Sequence, residues 1–159
     1  MMELIVIGAA IGVIATIGMD IWTLLLNRTA GVPMPNRAML GRWSVNALQG
    51  RVFHDSIAAV PAIPRENDIG WLVHYVVGII FGAAFVAVAG AGWLAAPTLA
   101  PALAFGIVTV GFGWFLLHPG MGAGWAAAKT PKPWQARFQS LAGHVVFGVS
   151  LWLGALLLG

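Results

Sequence analysis

The carboxylate and imidazole side chains of this sequence are few: Glu3, Asp20, Asp55, Glu66 and Asp68, with His54, His74, His118 and His144. No cysteine is present, which excludes disulfides, thiolate metal sites and cysteine nucleophiles. Asp20, His74 and His144 each interrupt a long apolar run, and His118 ends another. A charged carboxylate inside a bilayer costs about 2.5 kcal/mol or more, so Asp20 is expected to have a partner, a histidine or an arginine. Paired with His74 or His144 it would orient an imidazole for general base work, with an arginine as electrostatic clamp. The candidate catalytic residues are therefore Asp20, His74 and His144. A second reading starts from neutral imidazole as the commonest metal ligand: a helical bundle can hold a divalent metal or a haem between its helices. That metal set is Asp20, His54, His74 and His144, although no H-E-x-x-H or E-x-x-H pair supports it. In a third reading these side chains are a satisfied hydrogen-bond cluster that fixes the packing of a structural or accessory subunit.

Ligand-binding candidates surround these groups. His54 sits beside Asp55 in a connection that would cover the layer of Asp20, His74 and His144, and Arg42, Arg51, Lys129 and Arg137 would rim it. The stretch FLLHPGMGAGW places His118 directly before a glycine-rich turn. Backbone amides at Gly122 and Gly124 could cradle an oxyanion there, with His118 at the rim. The turn is not a P-loop, because no Gly-Lys-Ser/Thr ending follows it. Together these residues favour a site that binds, and in its strongest form acts on, a small anionic or amphiphilic molecule.

The elements that position them follow from composition. Of 159 residues, 60% are apolar and 8% charged, against about 25% charged in soluble domains. Mean hydropathy is +0.89. Crossing a hydrocarbon core of about 30 Å takes about 20 helical residues, and four runs are long enough: 4–26, 70–94, 98–118 and 139–158. The expected fold is an all-α bundle of four transmembrane helices, one transmembrane domain over 1–159, with a short interfacial helix in the first of two polar connections, 27–69 and 119–138. Those connections hold every Lys and Arg, so the net charge of +3 reports topology and not a nucleic-acid surface. The positive-inside rule places both connections in the cytoplasm and both termini outside. No basic region precedes the first run, so that span is expected to persist and not to be a cleaved signal.

In the first connection Asn36 can cap a helix over NRAMLGRWSVNAL, with Met39, Leu40, Trp43 and Ala47 on one side. Arg65, Glu66 and Asp68 read as solvated. In the second connection a turn at Trp125 to Lys129 stops at TPKP, and Trp134 suits an interfacial anchor. Small residues recur at helical spacing: Gly8, Gly12 and Thr16 on the first span, Gly70, Gly78 and Gly82 on the second, Ser140 and Gly148 on the fourth. Such stripes mark helix contacts, so Asp20, His74 and His144, which lie on them, are expected to face the interior. At 1.5 Å per residue Asp20 lies about 9 Å, and His74 and His144 about 6 to 8 Å, inside the span ends, all on one side. A weak internal repeat matches IATIGM with IVTVGF and HYVVG with HVVFG, which suggests two helical hairpins.

The segments GRVFHDSIA from Gly50, GWLVHY from Gly70, HPGMGAGWAAAKTPKP from His118 and RFQSLAGHVVFG from Arg137 resemble the bacterial membrane-protein family called domain of unknown function 2938. MD at Met19 and GRW at Gly41 add to the match, which spans nearly the whole chain. The resemblance implies a small polytopic inner-membrane protein of bacteria and supplies no activity. It matches Asp20, His54, His74 and His144 more closely than His118. The lipid bilayer is the expected partner, and a transport path would need a homo-oligomer.

Overall fold

The computed structural model describes residues 2–158, which contain helices and connections and no strand. Five helices follow in order: α1 Met2–Ala30, α2 Arg37–Leu48, α3 Glu66–Ala95, α4 Leu99–Gly120 and α5 Pro133–Leu158. All but α2 are long and apolar enough to cross a membrane. Only 22% to 33% of their most apolar stretches is buried inside the protein, so most of each apolar face is left for lipid.

The helices outrun the expected spans where the connections begin. Hydrocarbon thickness limits the apolar run but not the helix, so α1 continues four residues past Leu26. It stops at Gly31, whose φ of +65° suits a glycine and whose amide bonds Asn27 O. Helix α5 starts at Pro133 instead of Gln139, because a fixed φ and a missing N–H cost nothing in a first turn. Asn36 caps α2 as expected, its side chain accepting from the Met39 amide. Helix α4 carries one irregularity with no sequence signature: Gly113–Leu117 is a π-helical turn, directly before His118.

The internal contacts gather into two compact units. The first comprises Met1–Met34, Tyr75–Thr109 and Leu141–Gly159, the second Pro35–His74 and Val110–Ser140. In the first unit a core of Ile11, Ala15, Phe85, Val86, Phe147 and Leu151 forms beside the small-residue stripes. Gly8 and Gly12 of α1 lie directly on the backbone of Gly78 and Gly82 in α3, too close for any Cβ. Gly106 of α4 and Gly148 of α5 make the same backbone approach. The internal repeat is not reproduced in this register. Thr16 sits against Gly78, but its sequence counterpart Thr109 meets His144, while Gly148 packs one turn away on Ala102 and Gly106.

In the second unit α2 packs on the first turns of α3 through two glycines. Gly41 lies against the Glu66 backbone and Gly70 against that of Arg37. Glu66 corrects the solvated reading. Arg42 holds it bidentately, at 2.9 Å from Nε to Oε2 and 2.8 Å from Nη2 to Oε1, with side chains only 12% and 17% exposed. Arg65 and Asp68 do form an exposed pair.

Candidate functional site

The expected polar layer is divided between the units. Asp20 and His144 belong to the first; His54, His74, His118, Arg42, Arg51, Lys129 and Arg137 belong to the second.

Within the first unit, Tyr75 donates its hydroxyl proton to Asp20 Oδ2 at 3.0 Å, so the carboxylate has a phenol among its partners. His144 Nδ1 lies 3.0 Å from Thr109 Oγ1 and 3.2 Å from Gly106 O. A carbonyl only accepts, so Nδ1 carries the ring proton in this geometry. The Thr109 hydroxyl in turn donates to Gly106 O at 2.7 Å. Thr109 and Tyr75 are partners that the sequence reading does not name, although Tyr75 is the only tyrosine of the chain and sits inside an apolar span.

In the second unit His74 Nε2 lies 3.0 Å from Arg37 Nη2. A guanidinium only donates, so Nε2 accepts and Nδ1 is the protonated nitrogen in this contact. Arg37 also stacks 4.8 Å above Trp71, whose ring meets His74 edge-on. Arg42 is engaged by the protein itself. Besides holding Glu66 it donates through Nη1 to Val60 O at 2.7 Å and Ile57 O at 3.2 Å, clamping the first connection to α2 and α3. The hydrogen-bonded Glu66 carboxylate raises its pKa above the ordinary value, against a lowering by burial. Arg51 and Lys129 are exposed.

The Gly122 amide of the glycine-rich turn is occupied within the turn itself. Met121, Gly122 and Ala123 donate their amides back to Leu117, Pro119 and His118 O, at 2.9, 3.1 and 2.8 Å. Its glycines serve close approach. Gly120 lies under the Trp43 indole and Val52 O, and Gly122, at φ +87°, lies on the backbone of His54 and Asp55. The first connection therefore docks on this turn by main chain: His54 N donates to Gly120 O at 3.0 Å and Ile57 N to Met121 O at 3.0 Å.

This docking fixes the His54 ring. Its Nδ1 lies 3.1 Å from Gly120 O and must donate, which in the neutral ring leaves Nε2 as the acceptor. That Nε2 is buried with no hydrogen-bond partner, and so are His118 Nδ1 and Trp114 Nε1. Trp114 and His118 lie four residues apart across the π-helical turn, and His54 is docked two residues further along. Buried polar atoms without a protein partner are uncommon and mark where water or a ligand completes a site. Of the four such atoms among the described residues, these three belong to the second unit and the fourth, Trp22 Nε1, to the first. Trp114 is absent from the sequence reading; its only signal there is a tryptophan one turn before His118.

Among the described residues no group of three or more His, Asp or Glu side chains could hold a metal ion. No curated protein and no solved structure matches the chain. A family model described as protein of unknown function (DUF2938) matches residues 9–158, and the chain belongs to that family.

Proposed function

We propose that this is a multi-pass protein of the bacterial inner membrane whose second unit binds a small anionic or amphiphilic molecule at His54, Trp114 and His118. The carrying observation is that three of the four buried, unpartnered polar atoms among the described residues, His54 Nε2, Trp114 Nε1 and His118 Nδ1, belong to the second unit. Their chemistry restricts the polar head. An indole N–H only donates, so the head offers an acceptor oxygen; with the His54 ring neutral its Nε2 accepts, so the head also offers an O–H. A protonated phosphate ester, a carboxylic acid or a hydroxyl meets both demands, whereas a quaternary ammonium meets neither. The basic connections face the cytoplasm in this reading, since all eight Lys and Arg lie in them or in the adjoining helix turns. No reaction is assigned to the site. For Asp20 and His144 a packing role is favoured, because Tyr75, Thr109 and Gly106 meet their polar atoms within the first unit.

The test is binding of octyl phosphate to the full chain in maltoside micelles, read as a saturable rise in melting temperature. Trp114→Phe keeps the ring and removes the N–H, and it is expected to weaken binding about tenfold, the worth of one hydrogen bond to a charged acceptor. Equal binding by wild type and Trp114→Phe would overturn the proposal, as would the absence of any saturable response.

A further inference from the structure

A second site, separate from the His54–Trp114–His118 group, is carried by the connection between α4 and α5. No carboxylate side chain follows Asp68 in the sequence, yet this connection and the first turn of α5 carry Lys129, Lys132 and Arg137. Both lysines are exposed, and neither ammonium has an ion-pair partner among the described residues. Arg137 is held from one edge only. Its Nε donates to Ala126 O at 2.8 Å and its guanidinium stacks 4.8 Å above Trp134, while its two terminal amino groups have no protein acceptor among the described residues. Ala126, with φ +46°, and Ala127, with φ +60°, are in the left-handed region that alanine rarely adopts. The Arg137 contact thus secures a strained turn and leaves the donor face of the guanidinium open.

Exposed aromatic rings share this segment with the cations. Trp125 is 65% exposed and Trp134 79%, and the Trp125 ring packs 5.5 Å from that of Phe115, itself exposed. Exposed tryptophan beside free cations, at the end of a membrane-crossing helix, has the composition of a headgroup-level site: rings at the glycerol and upper acyl region, cations at the phosphate. A guanidinium with both amino groups open matches the oxygens of a phosphodiester, and two mobile ammonium groups supply further charge.

We propose that the segment 125–137 binds the headgroup of an anionic phospholipid, with Arg137, Lys129 and Lys132 on the phosphate and Trp125 and Trp134 against the glycerol region. Each cation beside an anionic surface contributes about fivefold in affinity, so removing both lysines should cost on the order of 30-fold. The experiment is native mass spectrometry of the full chain equilibrated with equal amounts of phosphatidylglycerol and phosphatidylcholine. Wild type is expected to retain phosphatidylglycerol preferentially, and K129Q/K132Q to lose that preference by the factor above. The charge-matched variant R28Q/R65Q, at exposed positions elsewhere, is expected to keep it. Equal retention of the two lipids by wild type would overturn the proposal, as would an equal loss in R28Q/R65Q. Displacement of the lipid by millimolar inorganic phosphate would also overturn it, by making the site one for a free anion. Melting curves in maltoside alone, expected to coincide for the three proteins, separate lost binding from lost folding.

Discussion

At the scale of single residues, the polar side chains divide into those that the fold uses for itself and those that it leaves open. Arg42 belongs to the first class. It meets both oxygens of Glu66 and the carbonyls of Ile57 and Val60, so R42Q should release the first connection and lower the melting temperature by several degrees. R65Q breaks only an exposed pair, of the kind that contributes little, and should melt with wild type. Differential scanning fluorimetry of the two variants in one detergent makes the comparison. These roles were only partly legible. Glu66 follows a proline-rich turn and looks like a solvated first-turn residue, because its partner is 24 residues away and no local pattern joins them. Asp20 reads as needing a partner, and among its partners Tyr75 was not legible, since a phenol in an apolar run gives no charge signal. His118 reads as a peripheral rim residue; the π-helical turn beside it has no sequence signature, and neither does the buried nitrogen it leaves unpartnered.

At the scale of elements, the small-residue stripes are the most legible part of the fold. Glycines at helical spacing in an apolar run have one economical explanation, which is backbone approach to another helix, and Gly8, Gly12, Gly78 and Gly82 all make it. Gly82→Ala should therefore cost about 1–3 kcal/mol, because its Cβ would meet the backbone of Gly8 and Gly12, which cannot rotate away. Gly92→Ala meets nothing within 4 Å and should be neutral or stabilising by up to about 1 kcal/mol, through helix propensity alone. Reversible unfolding in mixed micelles distinguishes the two signs. Helix α2 was legible through its Asn36 cap, but its packed face was not. The apolar pattern selects Met39, Leu40, Trp43 and Ala47, whereas close approach to α3 is made by Gly41 and the Arg37 backbone, which carry no hydrophobic signal. The glycine-rich turn shows the same blindness: phosphate cradles and close-approach turns share a composition, and only the hydrogen bonds of its amides separate them.

At the scale of the whole molecule, apolar length and the clustering of charge specify four membrane-crossing helices, and both are properties that a sequence displays directly. The proposed orientation has a clean test, because the chain contains no cysteine and single cysteines can be introduced into the natural background. A128C, in the basic α4–α5 connection, should react with an impermeant maleimide only from the cytoplasmic face, and A96C, in the uncharged α3–α4 turn, only from the opposite face; the reverse pattern would invert the topology. The central claim is that His54, Trp114 and His118 receive a ligand head in the second unit, and the indole of Trp114 reports on it directly. In a ¹⁵N-labelled sample titrated with octyl phosphate, the Trp114 indole N–H resonance, assigned by its loss in Trp114→Phe, should shift downfield and saturate. The indole of Trp22 is also buried and unpartnered but belongs to the first unit, and its resonance should stay in place. A Trp114 resonance that does not move, or one that moves only in step with Trp22, would contradict the account.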